Sequence, residues 1–102
     1  MEAVVELTSV CEVVLFGSLV DCIQTDRVSV RAVGKRGESS AGNVRQALMS
    51  EFGERWSKEL GIPAGCISRV ALVIVDGVVA EDGDRVVSGS EILFFFPPEG
   101  GS

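Results

Sequence analysis

The chain has 102 residues, 46% of them apolar and 24% charged, with a formal net charge of −6 and no histidine. That length holds one domain with a modest core, and the composition is that of a globular chain. No apolar run approaches the ~20 residues that a membrane span needs. An acidic chain gains nothing from counterion release at a phosphate backbone, which disfavours nucleic acid and suits basic protein surfaces instead.

Without imidazole the usual general base and most zinc sites are missing. Cys11, Cys22 and Cys66 are odd in number and contain no C-x-x-C pair, which excludes a closed disulfide framework and a four-thiolate metal site. They read as small packing residues in a reducing compartment; Cys66, in a Gly65-Cys66 loop, is the candidate for carrying a persulfide. The start Met1-Glu2-Ala3-Val4-Val5-Glu6 lacks the basic head and apolar centre of a signal peptide, so a cytoplasmic location is expected.

Residues 1–10 hold short apolar pairs broken by Glu6 and Thr8, either an extra strand or a loose lead-in, and count as an N-terminal extension. Glu12 to Phe16 is the first clear strand, ended by Gly17. Leu19, Cys22 and Ile23 then fall at i, i+3 and i+4, which predicts a short helix over Ser18–Ile23. Arg27-Val28-Ser29-Val30-Arg31 alternates polar with apolar, as a strand with one wet face does, and an edge position suits it. The Gly- and Ser-rich stretch 34–42 reads as loop, with Ser39 or Ser40 placed to cap the next helix.

Val44, Ala47, Leu48 and Phe52 form a helical stripe. Gly53 is expected to end or kink this helix of about twelve residues. A further turn over 55–60 folds Trp56 and Leu60 onto the core, and Gly61-Ile62-Pro63 stops it. Val70 to Val75 is apolar at every position and reads as a buried strand. Asp76-Gly77 is a strong hairpin signal, with the return strand starting at Val78-Val79. Glu81-Asp82-Gly83-Asp84 lacks the spacing of a calcium loop and reads as a solvated turn; Ser88-Gly89-Ser90 is another turn.

The last stretch, Glu91-Ile92-Leu93-Phe94-Phe95-Phe96-Pro97-Pro98-Glu99-Gly100-Gly101-Ser102, organises the rest. A strand apolar on both faces belongs in the middle of a sheet, and Pro97 ends its pairing because it has no N–H to donate. The sum is an α+β sheet with one main helix on one face. Alternation sends Ile92, Phe94 and Phe96 one way and Leu93 and Phe95 the other. One helix covers one face, so one set is left over as a partner surface.

These features resemble the small, ubiquitin-like sulfur-carrier subunit of molybdopterin synthase. The matching residues are Val13-Val14-Leu15-Phe16-Gly17, Val44-Arg45-Gln46-Ala47-Leu48, Val73-Ile74-Val75-Asp76-Gly77-Val78-Val79, and Gly89 to Pro98 before the glycines. The strand–Pro-Pro–diGly ending is the specific part. The resemblance implies a β-grasp domain over 11–96 and a flexible tail over 97–102. It also implies that an E1-like enzyme adenylates the C-terminal carboxylate at the expense of ATP. A sulfur donor protein then makes the thiocarboxylate, and the tail delivers sulfur inside the large synthase subunit. Gly101 carries the reacting carboxylate with Gly100 before it; Leu93, Phe95, Pro97, Pro98 and Glu99 are the partner-binding residues. The chain then has no catalytic residues and no bound cofactor of its own, and from Pro97 onward it reaches about 20 Å when extended.

Ser102 departs from the Gly-Gly ending. Either a peptidase removes it (or it is an expression remnant) and Gly100-Gly101 is the working pair, or Ser102 itself occupies the terminal position. The alternatives in function are a ubiquitin-like modifier joined to lysine, a sulfur carrier for thiamin or another metabolite, and a plain interaction domain that binds through Leu93 and Phe95.

Overall fold

The structure is a computed structural model, which describes residues 8–33, 39–87 and 89–97. Seven strands and three helices follow in the order β1 (Thr8–Leu15), α1 (Ser18–Ile23), β2 (Arg27–Val33), β3 (Ser39–Ser40), α2 (Ala41–Leu60), α3 (Ala64–Val70), β4 (Leu72–Val75), β5 (Val78–Ala80), β6 (Arg85–Val86) and β7 (Ile92–Phe95). Five strands form one mixed sheet in the order β2-β1-β7-β4-β5, and β3 pairs with β6 in a small second sheet. The last strand therefore lies in the middle, parallel to β1 and antiparallel to β4. That is where a run apolar on both faces has to be. β2, with its alternating pattern, is at the edge.

Helix α2 packs across one face of the sheet. Val13, Leu15, Val30, Val73, Ile92 and Phe94 point into this layer and are essentially sealed from water, against Val44, Leu48 and Trp56 of the helix. Trp56 sits between Phe52 and Phe94, with ring centroids 5.6 and 5.7 Å away. Its indole N–H donates to the Leu19 carbonyl at 3.2 Å, so the one polar atom of a fully buried ring is matched and α1 is tied to α2.

The start of α2 is well satisfied. The Ser40 hydroxyl accepts from the Asn43 N–H, and the Asn43 side chain accepts from the Ser40 N–H, a reciprocal capping box. Two more of the orphan donors of the first turn, Ala41 N–H and Gly42 N–H, donate to the carbonyls of Asp84 and Asp82. A side chain at Gly42 would stand 3.0 Å from Asp82 backbone and Cβ atoms, so this close approach needs a glycine. At the hairpin, Asp76 and Gly77 both have positive φ, 50° and 85°, the two-residue geometry that D-G favours.

Three expectations are corrected. Gly53 neither ends nor kinks α2, which runs unbroken for 20 residues. The helix penalty of one glycine is about 1 kcal/mol, small beside burial of Val44, Leu48 and Trp56 on both sides of it. Val70 and Ala71 do not belong to the strand: Val70 closes α3 and is 45% exposed, and pairing starts at Leu72. Helix α3 and the β3–β6 pair stand where only loop was read. Thr8 to Val10 are the beginning of β1, an eight-residue strand paired with β2 from Thr8 onward.

Candidate functional site

The sheet has a second face, with none of the described helices packed on it. Cross-strand register fixes what stands there. Val14 is beside Leu93, Ile74 is opposite Leu93, Leu72 is opposite Phe95, and Val79 is opposite Ile74. Partners across a ladder share a face, so these side chains form one apolar surface running from β1 through β7 and β4 to β5. Val14, Leu72, Ile74, Leu93 and Phe95 are half-buried by one another, and Val79 is 56% exposed. On the β2 side the surface is bordered by Glu12 and Arg27, an ion pair at 3.8 Å with both side chains about two-thirds exposed, which contributes little to stability.

The sequence pattern thus assigns the two faces of β7 correctly. Ile92, Phe94 and Phe96 are buried, whereas Leu93 and Phe95 lie on the open face. The entry to β7 is fixed by a reciprocal pair of bonds: Glu91 N–H donates to the Asp76 carboxylate and Asp76 N–H to the Glu91 carbonyl, each at 2.9 Å. Its exit is fixed by pairing with β4 up to Phe95 and by burial of Phe96. Pro97 follows, half-buried. Pro98, Glu99, Gly100, Gly101 and Ser102 lie outside the described residues.

Elsewhere the acidic loop 81–84 is structural. The Asp84 carboxylate accepts from the Glu81 N–H at 2.8 Å, and the Asp82 carboxylate from the Arg45 guanidinium at 3.1 Å. Arg45 also donates to the carbonyls of Ser68 and Ala71, so one largely buried guanidinium joins α2, the end of α3 and this loop. No periodicity announces that role for an arginine on a helix. Among the described residues no group of three or more metal-ligating side chains converges.

The thiols stand on three different elements and are free. Burial pushes the Cys11 thiol up, and burial, then Glu59 and Asp21, push Cys22 up, so neither is primed as a thiolate. Cys66 is on α3 rather than in a loop, 3.7 Å from the Arg69 guanidinium.

The comparisons with known proteins bear on this architecture. Two crystal structures of small archaeal modifier protein 1 from Haloferax volcanii superpose on the chain with TM-scores of 0.59 and 0.56. The first matches 91% of this chain and 100% of its own length at 23% identity; the second matches 84% and 94% at 24% identity. The fold is the β-grasp. Neither a family model nor a curated protein sequence matches the chain. At this level of identity the likeness carries the β-grasp fold and nothing of the chemistry, which has to be argued from the residues. No described helix is long and apolar enough to cross a membrane.

Proposed function

We propose that this protein is a ubiquitin-like sulfur carrier for molybdopterin synthesis, working through the carboxylate of Gly101 after Ser102 is removed. The observation that carries the reading is the position of β7. The most tightly held strand of the β-grasp sheet, bonded on both sides, is the one that runs into Pro97-Pro98-Glu99-Gly100-Gly101. A chain leaving the centre of a rigid sheet leaves from a fixed point and in a fixed direction, and two prolines extend that direction. Fewer conformations are then lost when the tail enters another protein's site.

The open surface of Val14, Leu72, Ile74, Leu93 and Phe95 adjoins that exit, and it is the docking face for the E1-like enzyme and later for the large synthase subunit. In the activating enzyme the Gly101 carboxylate attacks the α-phosphorus of ATP, giving an acyl-adenylate and pyrophosphate. Sulfur from a donor protein then attacks the carbonyl carbon and AMP leaves, giving the thiocarboxylate. Glycine suits the last two positions because a side chain beside the reacting carbonyl would obstruct both partners. The body of the protein supplies no acid or base to these steps; it delivers the substrate.

Reconstitution tests the proposal. The chain ending at Gly101, incubated with an E1-like enzyme, ATP and a persulfide donor, is expected to gain the mass of one oxygen-to-sulfur exchange. A chain ending at Gly100, or one keeping Ser102 without peptidase, is expected to gain none. No exchange on the Gly101 form would overturn the proposal.

A further inference from the structure

A second recognition surface lies at the other end of the sheet, along the outer edge of β2. Leu15 N–H donates to the Asp26 carbonyl, and the β1–β2 register continues without a break. In an antiparallel ladder, successive residues direct their N–H and C=O alternately toward and away from the neighbour. Val28 and Val30 therefore bond to β1, and the backbone groups of Arg27, Ser29 and Arg31 face outward. At Arg27 they are already occupied: the Thr25 hydroxyl receives its N–H and donates to its carbonyl. At Ser29 and Arg31 they have no partner among the described residues.

These two positions form one wall of a groove. The other wall is α2, and Ser29, Arg31, Ala47, Ser50 and Glu51 enclose about 480 Å³. A second, adjoining hollow of about 280 Å³ shares Arg31, Ala47 and Ser50 and continues past Asn43 and Gln46. An extended backbone fits a trough with a row of free peptide groups on one side and small side chains on the other. We infer that the β2–α2 groove takes up an extended, acidic segment of a partner protein as a sixth strand of the sheet. This inference does not rest on the chemistry of the tail.

Charge selects the occupant. The Arg31 side chain is exposed and has neither ion pair nor hydrogen bond among the described residues. A second copy of this chain is a poor occupant. Two antiparallel β2 strands centred on Arg31 would set Arg31 directly against Arg31, and a shift of one pairing step either way keeps the two as diagonal neighbours. Like charges in such positions oppose pairing. A carboxylate on the incoming strand opposite Arg31 turns the same position into an attraction. Glu51, across the groove on α2, faces the alternate side chains of that strand, which are then small and uncharged or basic. Arg27, already bridged to Glu12, flanks the outer end.

The test uses a short capped peptide of alternating Thr and Val with one central Glu, and two more with Lys or Thr at that position, titrated into the 15N-labelled protein. The Glu peptide is expected to shift the Ser29 and Arg31 amides and those of 43–51, and to slow hydrogen exchange at Ser29 and Arg31. It should bind at least roughly tenfold more tightly than the Lys peptide, and Arg31→Glu should reverse that order. Ser29→Pro removes an outward N–H, which an edge strand tolerates, and is expected to abolish binding while the β1–β2 ladder persists. Equal binding of the three peptides, shifts confined to the Leu93–Phe95 face, or self-association through β2 would overturn the inference. So would an unchanged preference in Arg31→Glu.

Discussion

Phe94 and Phe95 are neighbours in one strand, yet the two faces of the sheet assign them opposite work. Phe94 is wholly sealed and stacks on Trp56 at 5.7 Å. Its truncation to alanine leaves a cavity that the clamped β7 backbone cannot collapse into, at a cost of about 3–5 kcal/mol. A domain of this size holds about 5–15 kcal/mol in all, so Phe94→Ala should shift the urea midpoint far downward or leave a chain that barely folds. Phe95 is half-buried on the open face, and its truncation forfeits only partial burial, roughly 1 kcal/mol. Trp56, the single tryptophan, reports unfolding by fluorescence. The expected pattern has Phe95→Ala nearly as stable as the parent but defective in adenylation by the E1-like enzyme, with Phe94→Ala the reverse in its stability. Equal destabilisation by the two, or full adenylation of Phe95→Ala, would refute the assignment of faces.

Other consequences are local. Arg45→Ala withdraws a charged donor from the Ser68 and Ala71 carbonyls, at about 3 kcal/mol on the scale of charge-assisted bonds. Asp82→Ala, which removes only a 70% exposed carboxylate, should cost under about 1 kcal/mol; urea titrations compare them. Ser40→Ala loses the capping box and should cost about 0.5–2 kcal/mol, with faster hydrogen exchange at Asn43 as its local signature. Cys11 and Cys22 have pKa values raised in the native state, so the native protein holds their protons to higher pH than the unfolded chain does. Their contribution to stability is complete below the ordinary thiol range and is lost as pH rises through it. Alkylation by iodoacetamide, followed by peptide mapping, should be slower at both than at a free cysteine at the same alkaline pH.

Much of this was legible in the sequence because burial leaves a pattern. Ile92 to Phe96, apolar at every position, announces a central strand, and the alternation of Arg27 to Arg31 announces an edge. Ser40 before the Val44 stripe marks a helix start, and Asp76-Gly77 marks the hairpin. What failed to show was structure too short or too mixed to repeat. Helix α3 buries only Ile67 fully, so it has no stripe. β3 and β6 have two residues each, which is less than one period of alternation. Gly53 misled because propensity is a local quantity, while the helix is held by Val44, Leu48 and Trp56 packing on the sheet. The open face was readable as a surplus of apolar residues, but its membership needed the register, since Val14, Ile74 and Leu93 are far apart in the chain. Arg45 carried no sequence signal at all.

The central claim is that a rigid body presents a carboxylate for chemistry done by other proteins. The intact mass of the protein isolated from its native cell tests this most directly. The account predicts a polypeptide that ends at Gly101, part of it heavier by the exchange of one oxygen for sulfur. A population that uniformly retains Ser102 with an unaltered carboxylate would contradict it.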